Sequence, residues 1–300
     1  MWTKENIPDQ TGKTIIVTGA NIGLGFETAL ALYQAGAHVV LACRSQENAT
    51  AAVAQLQAQQ GTGTLETGML DLGDLDSVKA FTNLFLQQRK QLHVLINNAG
   101  VAVPPASKTK QGYELQFGVN FLGHFALTGH LYPLLKATSG ARVVTLSSMG
   151  YQRGVIDFEN LRSEKDYDGM REYSQSKLAD LMFAVELQRR ITAAGDKVLS
   201  IAAQPGANTT ALTRHMTAED VATGIERLGG FMEPWQGALS SLYAATSPDA
   251  LGGNLYQPDE DGYHGYPAHA AINENALDEM VAKKLWEFAE GVTGTHYPGR

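Results

Sequence analysis

Short apolar runs alternate along the 300-residue chain with longer segments of helical spacing. Apolar runs, several rich in β-branched residues, stand at 14–17, 39–41, 94–96, 143–146 and 199–203, and a weaker one at 65–70. Most of them stop at turn-forming residues: Gly19, Asn97-Asn98, Ser147-Ser148 and Pro205-Gly206. Unbroken apolar runs of this length predict strands buried on both faces of a parallel sheet. The segments between them predict helices over 24–34, 46–59, 74–88, 113–135, 170–191, 235–245 and 275–290. Gly36 ends the first of these, and acidic residues open the helix at 74. This alternation predicts an α/β fold, a doubly wound parallel sheet flanked by helices. No internal repeat or low-complexity linker interrupts it, so a single domain over 1–300 is expected.

Composition narrows the partners. With 44% hydrophobic and 18% charged residues, the chain can bury a sizeable core. Its net charge of -8, without any Lys/Arg cluster, repels phosphate backbones and anionic lipid. Neither nucleic acid nor a membrane surface is therefore an expected partner. Cys43 is the single cysteine, which rules out an internal disulfide and fits a reducing, cytoplasmic compartment. The first ten residues are polar, with Lys4, Glu5 and Asp9, and lack a signal peptide's apolar stretch. No apolar run approaches the roughly 20 residues of a membrane span. His264 and His269 have no zinc-ligand spacing, and no metal is expected.

The first run leads into a glycine turn, Gly19-Ala20-Asn21-Ile22-Gly23-Leu24-Gly25, that opens the first helix. Phosphate must sit against free N–H groups at a helix start, where side chains would hold it off. Glycines permit both the tight turn and the close approach. The spacing G-x-x-x-G-x-G differs from the G-x-G-x-x-G fingerprint, and a ligand-free glycine turn is the alternative. The second strand ends in Cys43-Arg44-Ser45 without a carboxylate. An NAD-binding site offers Asp or Glu there to the ribose 2′-OH, whereas the Arg44 fork suits a 2′-phosphate. NADP(H) is the expected cofactor; a solvated surface arginine is the alternative.

Tyr173 and Lys177 stand at i and i+4 of a predicted helix and share one face. Tyrosine titrates near pH 10 in water, and a neighbouring ammonium favours its phenolate. The pair therefore suits acid/base work, although the spacing alone recurs by chance in many helices.

Several motifs in order, from about Gly12 to Gly206, resemble the short-chain dehydrogenase/reductase family. They are Gly19, Gly23 and Gly25; Asp71-Leu72 after the third strand; Asn97-Asn98-Ala99-Gly100 after the fourth; Asn120; Ser147-Ser148; the Tyr173/Lys177 pair; and Pro205-Gly206. The resemblance implies a Rossmann-type sheet and a catalytic tetrad of Asn120, Ser148, Tyr173 and Lys177. In it, Tyr173 exchanges a proton with the substrate oxygen. Ser148 hydrogen-bonds that oxygen, with Ser147 as the competitor because adjacent extended residues point opposite ways. Lys177 holds the nicotinamide ribose, and Asn120 supports a proton-passing water or is simply a satisfied buried amide. The implied cofactor contacts are Gly19, Asn21, Ile22, Gly23, Gly25, Arg44, Asp71, Leu72, Asn97, Asn98, Gly100, Tyr173, Lys177, Pro205, Gly206 and Thr210. Asp71 is expected to meet the adenine amino group, with a solvated loop aspartate as the alternative. Asn97 and Asn98 have structural and cofactor readings side by side, and Thr209 competes with Thr210 for the carboxamide.

The run from Val119 to Phe125 and the segment 163–167 are similar to retinol dehydrogenase-like and protochlorophyllide reductase-like members. The charged insertion 154–168 is expected beside the active site. In the carbonyl reductase branch an insertion there blocks helix-to-helix pairing, which implies a monomer. Vertebrate retinol dehydrogenases often carry an N-terminal anchor, whereas this sequence starts almost directly at its first strand, so a retinoid role is not expected. Cys43 lies at the cofactor's sugar and not near substrate, so light-driven chemistry is not expected either. A segment at about 207–233, with Met216, Ile225, Leu228, Phe231 and Met232, is expected to cover an apolar substrate or to pack on the core. The expected activity is interconversion of a small alcohol and carbonyl. A non-catalytic NADP(H) sensor on the same fold and a reductase of activated C=C bonds are the alternatives.

Overall fold

The computed structural model describes residues 1–209, 225–226 and 229–297. Among them lie β1 (Thr14–Thr18), β2 (His38–Cys43), β3 (Thr64–Met69), β4 (Val94–Asn97), β5 (Arg142–Leu146), β6 (Leu199–Ala203), β7 (Leu255–Glu260) and β8 (His264–Ala270). The main helices are α1 (Gly23–Gln34), α2 (Gln46–Ala58), α3 (Leu75–Gln88), α4 (Gly123–Ala137), α5 (Gly169–Ala194), α6 (Pro234–Thr246) and α7 (Glu279–Thr293). The strands form one sheet in the order β3-β2-β1-β4-β5-β6-β7-β8. All pairs up to β7 are parallel, and β8 closes the edge antiparallel to β7. The winding reverses between β1 and β4, which is where open α/β sheets bind ligands beyond their carboxyl ends.

Alternation along each strand feeds two apolar layers. Ile16 packs with residues of α3, α4, α5 and α7 on one face. Ile15 and Val17 pack with α1, α2 and α6 on the other. Both faces are covered, which is why the runs read as continuously apolar. α5 is buried over most of its circumference from Glu172 to Ala184. Asp168 caps its start by accepting a hydrogen bond from the Arg171 N–H at 2.8 Å, and Gly195 at φ +71° ends it.

Three features depart from the sequence pattern. The helix expected over 113–135 begins later, because the Glu114 carboxylate accepts a hydrogen bond from the Phe117 N–H at 2.7 Å and leaves Tyr113 in the preceding loop. Residues Phe117–Leu122 are then wound as a π-helical turn before α4. The helix expected over 275–290 is broken at Asp278, whose carboxylate caps the N–H groups of Met280 and Val281. The β7–β8 hairpin left no apolar alternation to read: Pro258 pairs opposite Pro267, and Asp259 and Glu260 precede the turn at Asp261 and Gly262. Pro267 is tolerated because β8 is an edge strand, and Pro258 because β7 pairs with β6 only at Leu255 and Tyr256.

Candidate active site

A cleft of about 550 Å³ opens at the carboxyl ends of the strands around the switch point. Gly19, Asn21, Ile22, Gly23 and Gly25 line it from the β1–α1 turn. Arg44 enters after β2, and Asp71 and Leu72 after β3. Asn98, Gly100 and Pro205 follow from later strand ends, and Tyr173 and Lys177 project from α5. A second cavity, of about 820 Å³, lies between α5 and α7 and shares no lining residue with the cleft. Its Arg189 and Arg190 are already paired with Glu186.

The glycine turn is shaped for close approach. Gly19 and Gly23 hold φ of +65° and +59°, which L side chains rarely adopt. A methyl at Gly25 would stand 2.5 Å from both Asn98 Nδ2 and the Gly19 carbonyl oxygen, so only glycine lets α1 start this close to the sheet. Arg44 is exposed at the cleft, and its guanidinium has no hydrogen-bond or ion-pair partner among the described residues. Ser45, which caps α2 through its hydroxyl, and Asn48 stand beside it in the cleft wall; neither stood out in the sequence. Cys43 is buried under this turn, and burial pushes its thiol up to about 11, which keeps it unreactive.

At the other end, Ser147 and Ser148 diverge as extended neighbours must. Ser147 is buried, and its hydroxyl donates to the Lys177 carbonyl at 2.7 Å. Ser148 is half-buried; its Oγ accepts from the Gly150 N–H at 3.2 Å, and its own proton is uncommitted among the described residues. A methyl at Gly150 would stand 3.4 Å from the Tyr173 ring and 3.7 Å from Ser148 Oγ, so these two groups flank one gap.

Lys177 is buried, and its ammonium donates to the Leu146 carbonyl and to Asp180 Oδ2, each at 2.9 Å. Burial disfavours its charge, but Asp180 and Tyr173 outweigh that, and its pKa lies above the ordinary lysine value. Asp180 is itself buried, which drives its carboxyl up to about 6 against the pull of Lys177. Asp180 was not anticipated; its i+3 spacing from Lys177 was the available signal.

Four residues expected in the site do not line the cleft. Asn120 is fully buried in the π-helical turn. Its amide oxygen accepts from the Val101 N–H, and its amide nitrogen donates to the Val101 carbonyl and to Ser176 Oγ. It still borders Lys177: a methyl at Gly100 would stand 3.4 Å from Asn120 Oδ1 and 3.7 Å from Lys177 Nζ. Asn97 is buried beneath the cleft and donates to Thr128 Oγ1 at 3.0 Å. Gly206 faces packing atoms of Tyr263, Met232 and Pro258. Ser148 flanks the Tyr173 gap, as above. Thr210 and most of the segment 207–233 lie outside the described residues, while Thr209 is exposed. The insertion 154–168 packs on α5 and the loop after β4, with no residue in the cleft lining: the Asp157 N–H donates to Gln175 Oε1 at 2.6 Å, and the Tyr167 hydroxyl donates to the Pro104 carbonyl at 2.5 Å.

The sequence and fold that build this cleft are matched by known proteins. The short chain dehydrogenase family model fits residues 13–221. The chain belongs to that family. Within it, the chain falls in the retinol dehydrogenase-like branch. It is 41% identical over 296 residues to retinol dehydrogenase 14 of Mus musculus, covering 94% of this chain and 86% of that one. It is 38% identical to the polyprenol dehydrogenase of Mus musculus, over 95% of this chain and 84% of that one. A crystal structure of an uncharacterized protein from Mycobacterium paratuberculosis shares 38% identity over 99% of each chain, with a TM-score of 0.82. The Pseudomonas aeruginosa RhlG/NADP complex shares 22% identity and the fold alone, with a TM-score of 0.66 over 82% of this chain and 94% of that one. Among the described residues, no group of His, Cys, Asp and Glu is arranged to hold a metal. No described helix is long and apolar enough to cross a membrane.

Proposed function

We propose that this short-chain dehydrogenase is an NADP(H)-dependent oxidoreductase that interconverts a small, apolar alcohol and its carbonyl. The observation that carries this reading is that Tyr173 and Lys177 open into the same cleft as the glycine turn. That cleft suits a dinucleotide: Gly19 and Gly25, where a Cβ would collide with Ala99, Asn98 and the Gly19 carbonyl, let the turn and the start of α1 close up along the cleft, and Arg44 offers an uncommitted guanidinium. In this reading Gly19, Asn21, Ile22, Gly23 and Gly25 receive the pyrophosphate, Arg44 the 2′-phosphate, and Asp71, Leu72, Asn98 and Gly100 the adenosine side. Pro205 and Thr210 belong to the nicotinamide end, and Asn97 and Gly206 support the site from beneath. When bound, the nicotinamide supplies or accepts the hydride.

The chain's own residues handle the proton. Ser148 donates its free hydroxyl proton to the substrate oxygen and steadies charge building there. Tyr173 gives that oxygen its proton in reduction and takes it back in oxidation. Lys177 stabilises the negative charge left on Tyr173 and reaches toward the cofactor ribose, and Asn120 fixes the floor beside Lys177. The reading includes one domain over 1–300, with a segment at about 207–233 over the substrate, working as a monomer in the cytoplasm. A tetramer on a sizing column would remove the monomer from it.

The test is NADPH oxidation against a panel of aldehydes, ketones and enones, with product analysis to separate C=O from C=C reduction. Tyr173→Phe is expected to bind NADPH and to lose turnover by about 10²-fold or more. A variant that keeps its rate removes Tyr173 from the chemistry, and a wild type that binds NADPH but reduces nothing is a sensor.

A further inference from the structure

A lysine ammonium has three N–H donors. Two of Lys177's are committed, to the Leu146 carbonyl and to Asp180 Oδ2, each at 2.9 Å. Lys177 lines the cleft, so one donor remains for it. The side chains of Lys177 and Asp180 are 7% and 2% exposed, so this ion pair sits away from water. The other carboxylate oxygen, Asp180 Oδ1, is buried without a hydrogen-bond partner. Among the described residues, the groups that act electrically on the pair are Tyr173 of α5 itself and His124 of α4. His124 is held neutral, as its bonds require, so Asp180 is the anion that balances Lys177.

We propose that Asp180 is a positioning residue of this enzyme: its carboxylate keeps Lys177 charged and turned so that a single N–H faces the cleft. This rests on the oxidoreductase reading above. A buried ammonium is costly unless paired, and removal of the partner favours its deprotonation or its withdrawal toward water. Asp180 acts through Lys177 and does not itself reach the cleft lining. Its unpartnered Oδ1 leaves room for the protonation that would switch the pair off in acid.

The experiment compares wild type, Asp180→Asn and Asp180→Glu in kcat, KM and NADPH affinity between about pH 5 and 9. Wild type is expected to lose kcat as pH falls through about 6, where Asp180 takes up a proton. Asp180→Asn should lack that inflection, lose roughly tenfold in kcat at neutral pH, and show its alkaline decline at lower pH than wild type. Asp180→Glu should recover part of the rate and restore an acid inflection. An Asp180→Asn enzyme with the wild-type profile and rate overturns the proposal. Should that variant fail to fold, Asp180→Glu carries the test: an acid inflection in kcat displaced from that of wild type upholds the proposal, and a profile identical to wild type overturns it. If wild type turns over no substrate, the functional reading falls, and NADPH binding measured by fluorescence decides separately. Weakening by about fivefold or more in Asp180→Asn then supports the positioning role, and unchanged affinity refutes it.

Discussion

Thr18 Oγ1 and His124 Nε2 lie 2.9 Å apart in the interior, one at the end of β1 and the other in α4. The ring's other nitrogen, Nδ1, is 2.7 Å from the Asn120 carbonyl, which can only accept. Nδ1 therefore carries the proton, Nε2 accepts, and the Thr18 hydroxyl donates to it. That leaves Thr18 Oγ1 to accept from the N–H groups of Asn98 and Ala99, both at 2.9 Å. One neutral imidazole thus ties together the β1 end, the turn carrying Asn120 and the loop after β4.

This network makes His124 a source of acid sensitivity. Burial holds its pKa down at about 3, well below the ordinary 6.5. The unfolded chain takes up a proton near 6.5, and the folded ring refuses it until far lower pH. The stability this contributes is complete above 6.5 and is lost as pH falls toward 3. His124→Gln should lower stability at neutral pH. It should also flatten the dependence of unfolding free energy on pH below about 6 by roughly 1.4 kcal/mol per pH unit, one proton's worth. Urea titrations at several pH values measure this slope, and an unchanged slope removes His124 from the account.

In the proposed reading the adjacent serines divide structure from chemistry, with Ser148 at the Tyr173 gap and Ser147, which lines the cleft, tied to the Lys177 carbonyl. Ser148→Ala removes the uncommitted hydroxyl beside the Tyr173 ring and should lower kcat by about 10²-fold with little change in melting temperature. Ser147→Ala removes a buried bond to the Lys177 carbonyl and should cost about 1 kcal/mol of stability. Paired kinetics and thermal melts read both effects. A larger loss of kcat in Ser147→Ala than in Ser148→Ala would reverse the assignment.

Arg44→Ala tests the sugar end of the cleft. A charged hydrogen bond to phosphate contributes about 1.5–3 kcal/mol, so KM for NADPH should rise roughly ten- to hundredfold while KM for NADH barely moves. Saturation curves with each cofactor decide it. Equal effects on both would show that Arg44 does not discriminate at the 2′ position.

Strands buried on both faces, such as β1 and β5, announced themselves because no charged residue interrupts their apolar runs. The glycine turn and the Tyr173/Lys177 pair were legible for a related reason, since each chemical demand fixes residue type and spacing together. The β7–β8 hairpin was not legible, because its stability comes from neighbours across the sheet and not from its own pattern. Asn97 and Asn98 were inseparable in sequence, and only the alternation of β4 turns Asn97 down to Thr128 and leaves Asn98 at the cleft. Asp180 and His124 look like ordinary helix residues until their burial is known, because the penalty that makes them informative is a property of the interior.

Glu114 shows that same penalty as a stability effect. It is fully buried, Oε2 accepts from the Phe117 N–H at 2.7 Å, and Oε1 has no partner. Burial, aided by the nearby Glu172 charge, pushes its carboxyl up to about 6 despite hydrogen bonds that pull the other way. The unfolded chain releases this proton near the ordinary 4.5, while the folded chain holds it to about 6. Between those values the folded state binds more protons, so stability is fully present below 4.5 and is lost as pH rises through 6. The loss amounts to about 2 kcal/mol at neutral pH. Glu114→Gln keeps an oxygen for the Phe117 N–H and cannot ionise. Whatever constant cost the amide brings, the variant should gain on wild type by about 2 kcal/mol between pH values of about 4.5 and 7.5. Urea unfolding of both proteins at the two pH values measures that difference, and a stability gap that does not change with pH would show that Glu114 ionises alike in the folded and unfolded chain.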